Sequence, residues 1–128
     1  MIQALTVAIG KALRDEGDTT TSVTFSPHLP KTVTVPAVVI APGDPFLVPE
    51  TIGGDVLERW DVMVFYSRNM PDFGVSLFRD LSLRIRQGVA SVGGQWIRTT
   101  GPRTNGEATD HLMVVNEIQF AHTGALNT

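Results

Sequence analysis

The segment "DVLERWDVMVFYSRN", residues 55–69, constrains the fold more than any other stretch of the chain. Between residues 60 and 66 both alternating faces are mostly apolar, the pattern of a strand covered on both sides. Read back to Asp55, the run predicts a strand of about 13 residues, more than twice the usual length of roughly 5–6. Val56, Glu58, Trp60, Val62, Val64 and Tyr66 fall on one face, and Leu57, Arg59, Asp61, Met63, Phe65 and Ser67 on the other. The second half reads as central and the first half as exposed. A compact domain of 128 residues has a diameter of roughly 36 Å, whereas about 13 strand residues reach roughly 43 Å. The strand is expected to overrun the globule. Its overhanging backbone then needs pairing, by the neighbouring loop or by another copy of the chain.

The remaining segments set this strand in a helix-and-sheet context. Ile2, Leu5, Ile9 and Leu13 recur at three- and four-residue steps and predict a one-sided helix that stops near Gly17. "TSVTF" alternates as a short half-buried strand, and "KTVTVPAVVIA" predicts a strand with Val38, Val39 and Ile40 covered on both faces. Residues 42–55, "PGDPFLVPETIGGD", carry three prolines and three glycines, so most of this stretch is expected to be irregular. It nevertheless holds Phe46, Leu47, Val48 and Ile52, which a solvated loop does not need. Either it folds back on its own domain as a hairpin connection, or it is an arm that buries against another chain.

A second helix is expected from Asn69 as N-cap to Gly93-Gly94, with Phe73, Leu77, Leu81 and Ile85 as its apolar stripe and Arg79, Arg84 and Arg86 off it. "QWIRTTGP" reads as a short strand, "RTNGEATD" as a polar loop, and "HLMVVNEIQFAHTG" as a closing strand of about 12 residues interrupted by Asn116. Residues 1–128 therefore form one α+β domain, a mainly antiparallel twisted sheet with two helices packed on one face.

No reaction centre emerges from the residue inventory. Cysteine is absent, which excludes disulfides and thiolate metal sites. The N-terminal stretch has neither the basic region of a secretion signal nor the apolar run of a membrane span. His111 and His122 are expected about 35 Å apart along one strand, too far to share a metal. No phosphate loop or nucleophile elbow is present, Ser76 and Ser82 sit on a helix without an obvious base, and Glu58 and Asp61 face opposite ways. Asn116, Glu117, Tyr66 and His111 are the polar groups near strand interiors that a small-molecule pocket would use. The net charge of −3 argues against a general nucleic-acid surface, with Arg79, Arg84, Arg86, Arg98 and Arg103 as the one basic concentration. Charged residues make up 18% of the chain, against about 25% in an ordinary soluble domain. A surface richer in Thr, Ser, Gly, Pro and Asn is easier to desolvate, as protein interfaces require.

The succession of an amphipathic N-terminal helix, "VPAVVIAPGDP", "RWDVMVFYSRN", "MPDFGVSLFRDLSLRIRQGV" and "HLMVVNEIQFAHTG" resembles tail terminator proteins of long-tailed bacteriophages. The resemblance covers nearly the whole chain in order and length, without a catalytic signature. It implies a non-enzymatic virion protein with no cofactor, forming a hexameric ring on the tail tube. Such a ring stops tube polymerisation and meets the head–tail connector at the tail–neck junction. It is assembled in the host cytoplasm, with passive contact with passing DNA and no membrane partner. A head-to-tail ring needs two different complementary patches. Phe46, Leu47, Val48, Ile52, Leu57 and Arg59 are expected in the first, and Arg103, Asn105 and His111 in the second. Another neck or head-completion protein, or a small-molecule-binding α+β domain, are the competing readings.

Overall fold

A computed structural model describes residues 2–15, 22–25, 37–49, 55–67, 75–105 and 108–122. The elements are helix α1 (Ile2–Asp15), strand β1 (Ser22–Phe25), strands β2 (Ala37–Pro49) and β3 (Val56–Ser67), helix α2 (Val75–Ser91), and strands β4 (Gln95–Asn105) and β5 (Ala108–His122). The strands form a single five-stranded sheet in the order β1-β2-β3-β5-β4. β1 runs parallel to β2, and the other neighbours are antiparallel. The α+β architecture expected from the sequence is the one observed.

Both helices lie on one face. Leu5, Ile9 and Leu13 of α1 and Leu81, Ile85 and Val89 of α2 are buried in one cluster with Val38, Ile40, Trp60, Val62, Val64, Tyr66, Val114, Ile118 and Phe120. These strand positions share one parity, so the two-residue period of β3 delivers its whole inner row to the helices. The opposite parity forms a second buried cluster of Val39, Ala41, Met63, Phe65, Met113 and Val115. The apolar run of residues 60–66 thus supplies both clusters, as its two-faced pattern predicts.

Two glycines let these layers approach. A Cβ on Gly88 of α2 would stand 3.0 Å from the Ala8 carbonyl oxygen and 3.1 Å from Ile9 Cα, so the backbones of α1 and α2 meet there. At the end of α2 the Gly94 amide donates to the Val89 carbonyl (2.9 Å) and the Gly93 amide to the Ala90 carbonyl (3.1 Å), with Gly93 at φ +84°. This is the Schellman closure that glycine favours. A Cβ on Gly94 would collide with Val89 and Phe120.

Three expectations are corrected. β2 does not end at Pro42: Leu47, Val48 and Pro49 pair with Glu58, Leu57 and Val56. Residues 43–46 bulge opposite Arg59 alone, and Gly43 makes room, since a Cβ there would stand 3.0 Å from Arg59 Cβ. The first half of β3 is therefore not a bare overhang. It pairs with β2 on one side and with residues 118–122 of β5 on the other, and Val56, Leu57, Glu58 and Arg59 are half-buried. Third, "RTNGEATD" is mostly strand: Arg103, Thr104 and Asn105 pair with Met113, Leu112 and Ala108. β4 accommodates Gly101 (φ +106°) and Pro102 as an irregularity between Thr100 and Arg103 rather than stopping at them. The expected helix positions Asn69 and Phe73, the stop at Gly17, and Ile52 lie outside the described residues.

Candidate functional site

The long strands carry their hairpins to opposite ends of the sheet. At one end, Leu47, Val48 and Pro49 of β2 pair with β3 beside His122 of β5. At the other, Ser67 pairs with His111, and β5 continues to Ala108, which meets Asn105 across the β4–β5 hairpin. The described members of the two sets of sequence-predicted interface residues fall on these two ends, about 36 Å apart along β3.

At the first end the residues divide by face. Phe46 turns inward, its ring 5.0 Å from Trp60 in an edge-on contact, and Phe25 approaches the same indole at 6.0 Å. Leu47 is 53% exposed. Pro45 and Pro49, two residues either side, are exposed as well, while Val48 and Leu57 are half-buried. Beyond Ile40 no described strand pairs with the outer edge of β2, because β1 covers only Ala37 to Ile40. Pro42, Pro45 and Pro49 remove donors from that edge and blunt further strand addition. Trp60 Nε1 donates to Glu58 Oε2 at 2.6 Å, and His122 Nε2 lies 3.4 Å from Glu58 Oε1. The ends of β3 and β5 are tied together there. At the second end the backbones of Arg103, Asn105 and His111 are placed in β4 and β5, and their side chains lie outside the described residues.

Arg59 belongs to a cross-strand charge cluster that the sequence did not reveal. On the face away from the helices, Glu117 lies directly opposite Asp61 on β3 and Arg98 on β4. Arg59 Nη2 donates to Glu117 Oε1 at 3.0 Å, while Arg98 bonds the same carboxylate through Nε and, at 3.3 Å, through Nη2. The Glu117 carboxylate raises the Arg98 pKa, through the hydrogen bond first and its charge second. Arg59, Arg98, Asp61 and Glu117 line a concavity of about 300 Å³ across three strands, together with Gly43 and a third carboxylate, Asp44. The sequence signal was the shared parity of Arg59, Asp61 and Glu117. It becomes readable only once the strand register is known.

A second unforeseen feature lies between α2 and β4. A pocket of about 370 Å³ is walled by Leu83, Trp96, Pro102 and Val114, with Arg79 and Arg86 also lining it. The Arg86 guanidinium sits 5.4 Å from the Trp96 ring centre, a cation–π stack. The buried Ser82 hydroxyl also lines this pocket and has no hydrogen-bond partner. Next to it, Trp96 Nε1 donates to Thr99 Oγ1 (2.9 Å), Thr99 Oγ1 donates to Asn116 Oδ1 (2.7 Å), and Asn116 Nδ2 donates to the Val62 carbonyl (3.2 Å). The polar interruption at Asn116 is thereby a bridge from the core to the sheet edge.

None of these groups forms a nucleophile–base pair, and among the described residues no three His, Asp or Glu side chains gather as a metal site. No described helix is long and apolar enough to cross a membrane. No protein-family model matches the chain, and no curated protein matches it.

Proposed function

We propose that this chain is a structural subunit of a ring that caps the tail tube of a long-tailed bacteriophage, stops its polymerisation and offers a surface to the head–tail connector. The observation that carries the reading is the pair of unlike hairpins at opposite ends of one sheet. A ring built head to tail needs two such patches on each subunit. The first is apolar and acidic, with Leu47 outermost and Asp44 and Glu50 as the only charged residues between positions 32 and 54. The second, residues 103–111, is polar instead of apolar and carries Arg103 with Glu107 and Asp110.

In this reading the protein is not an enzyme and binds no cofactor. Its partners are copies of itself, six to a ring, the tail tube protein, and the connector or head-completion protein above. DNA passing through the lumen makes only passive contact. The site of action is the tail–neck junction of the virion, after assembly in the host cytoplasm.

Adding the purified protein to polymerising tail-tube subunits tests this. Tubes shortened in proportion to the added protein, each with a ring at one end in negative stain, are the expected outcome. Unaltered tube lengths with bare ends contradict it.

A further inference from the structure

The pocket between α2 and β4 has three properties that together describe its occupant. Its wall is apolar and partly open to solvent, with Leu83 50% and Trp96 39% exposed. Its charge is positive, because Arg79 and Arg86 line it and residues 75–105 carry five arginines against one carboxylate, Asp80, in a chain whose net charge is −3. Arg79 approaches Asp80 only at 3.8 Å between exposed side chains, and Arg86 is held in place by Trp96. Third, its floor is closed, since the Ser82 hydroxyl beneath it is buried out of reach of an occupant. The fitting occupant is an extended apolar segment that carries a carboxylate.

The outer half of β2 has that chemistry. Pro45, Leu47 and Pro49 form an exposed row on alternate residues, between Asp44 and Glu50. Among the described residues no strand pairs with its outer edge. The prolines prevent a neighbour from continuing the sheet there, which leaves side-chain docking as the means of contact. Leu47 cannot reach the pocket of its own chain: it is paired to Glu58, and β3 and β5 stand between β2 and β4. We propose that the Pro45–Leu47–Pro49 ridge of one subunit seats in the α2/β4 pocket of the next, with Asp44 toward Arg79 and Arg86. The contact joins two different surfaces, so repeating it yields a ring or an open filament. It rests on the ring reading above and moves the second contact from the β4–β5 hairpin to the α2/β4 edge.

The absence of cysteine makes the test direct. Leu47→Cys and Leu83→Cys are prepared as separate single variants, both at exposed positions, and treated with a short bismaleimide alone and as a mixture. Cross-linked dimers should form at least tenfold more in the mixture than in either variant alone, and Arg86→Glu in the Leu83→Cys chain should reduce that yield several-fold. Equal yields from like and unlike pairs, or none above the unlinked control, overturn the docking. Light scattering on the same samples separates this inference from the ring reading. Rings without the unlike cross-link overturn the docking alone. Cross-linked open ladders retain the docking and overturn closure. A monomer without cross-links, unchanged when preformed tail tubes are added, overturns both and leaves the pocket to a small ligand.

Discussion

Asn116 shows how one polar residue organises the sheet. Fully buried in the helix-side row of β5, it joins the β3 backbone at Val62 to Thr99 and, through it, to Trp96 on β4. Replacing it by alanine leaves the Val62 carbonyl and the Thr99 hydroxyl without their partner, and should cost about 2–3 kcal/mol in urea unfolding. Thr99→Val alone should cost less, and the double variant should fall short of the sum by about 1 kcal/mol. Strict additivity would mean the two side chains do not act as one network. Gly94 is constrained differently, since a methyl there would stand 2.6 Å from Val89 Cγ1 and 2.8 Å from Phe120 Cε1. Gly94→Ala should lower stability by about 1–3 kcal/mol through overpacking, read as a shifted urea midpoint with an unchanged slope. The interruption at Asn116 was visible in the sequence. Its partners were not, because Thr99 is 17 and Val62 54 residues away and only the register joins them.

Among the elements, what could be read in advance was what depends on local period. The i, i+4 spacing of Leu5, Ile9 and Leu13 marked the buried face of α1, and alternation assigned every described position of β3 to its face. What escaped was strand length. Pro42, Pro45, Gly101 and Pro102 look like terminators locally, yet both β2 and β4 absorb them as bulges because a long neighbouring strand holds the ladder beyond. Phe46 is the clearest instance: the sequence left a folded-back connection and an arm both open, and its ring rests on Trp60 of its own domain, as the first reading requires. Phe46→Ala should therefore destabilise the monomer by about 2 kcal/mol, detectable by thermal unfolding. The helices offer a paired test. Gly10 has nothing within 4 Å of its potential Cβ, whereas Gly88 abuts the α1 backbone. Gly10→Ala should stabilise by about 0.5–1 kcal/mol, and Gly88→Leu should destabilise by about 2 kcal/mol or more as α1 is pushed from α2. Similar effects at the two sites would contradict the close helix crossing.

For the molecule as a whole, the long strands are the central fact. β5, at 15 residues, spans about 46 Å, beyond the roughly 36 Å diameter of a compact chain of this size. Folding alone covers much of that excess, since β2, β3 and β5 pair with one another to the Val56 end of the sheet. Among the described residues, what folding leaves exposed is the proline-lined outer half of β2, with Leu47 exposed, and the basic α2/β4 side with its pocket. The two differ in charge and sit on opposite edges of the sheet, which suits head-to-tail association. Which residues face outward was not legible in the composition, because it depends on the bulge at residues 43–46. The most direct test of the account is the mass of the purified protein by multi-angle light scattering over a wide concentration range, with negative-stain images of the same fractions. The account predicts a species of about six subunits that appears as closed rings and dissociates on dilution. A strict monomer at every concentration, unchanged when preformed tail tubes are added, would contradict it.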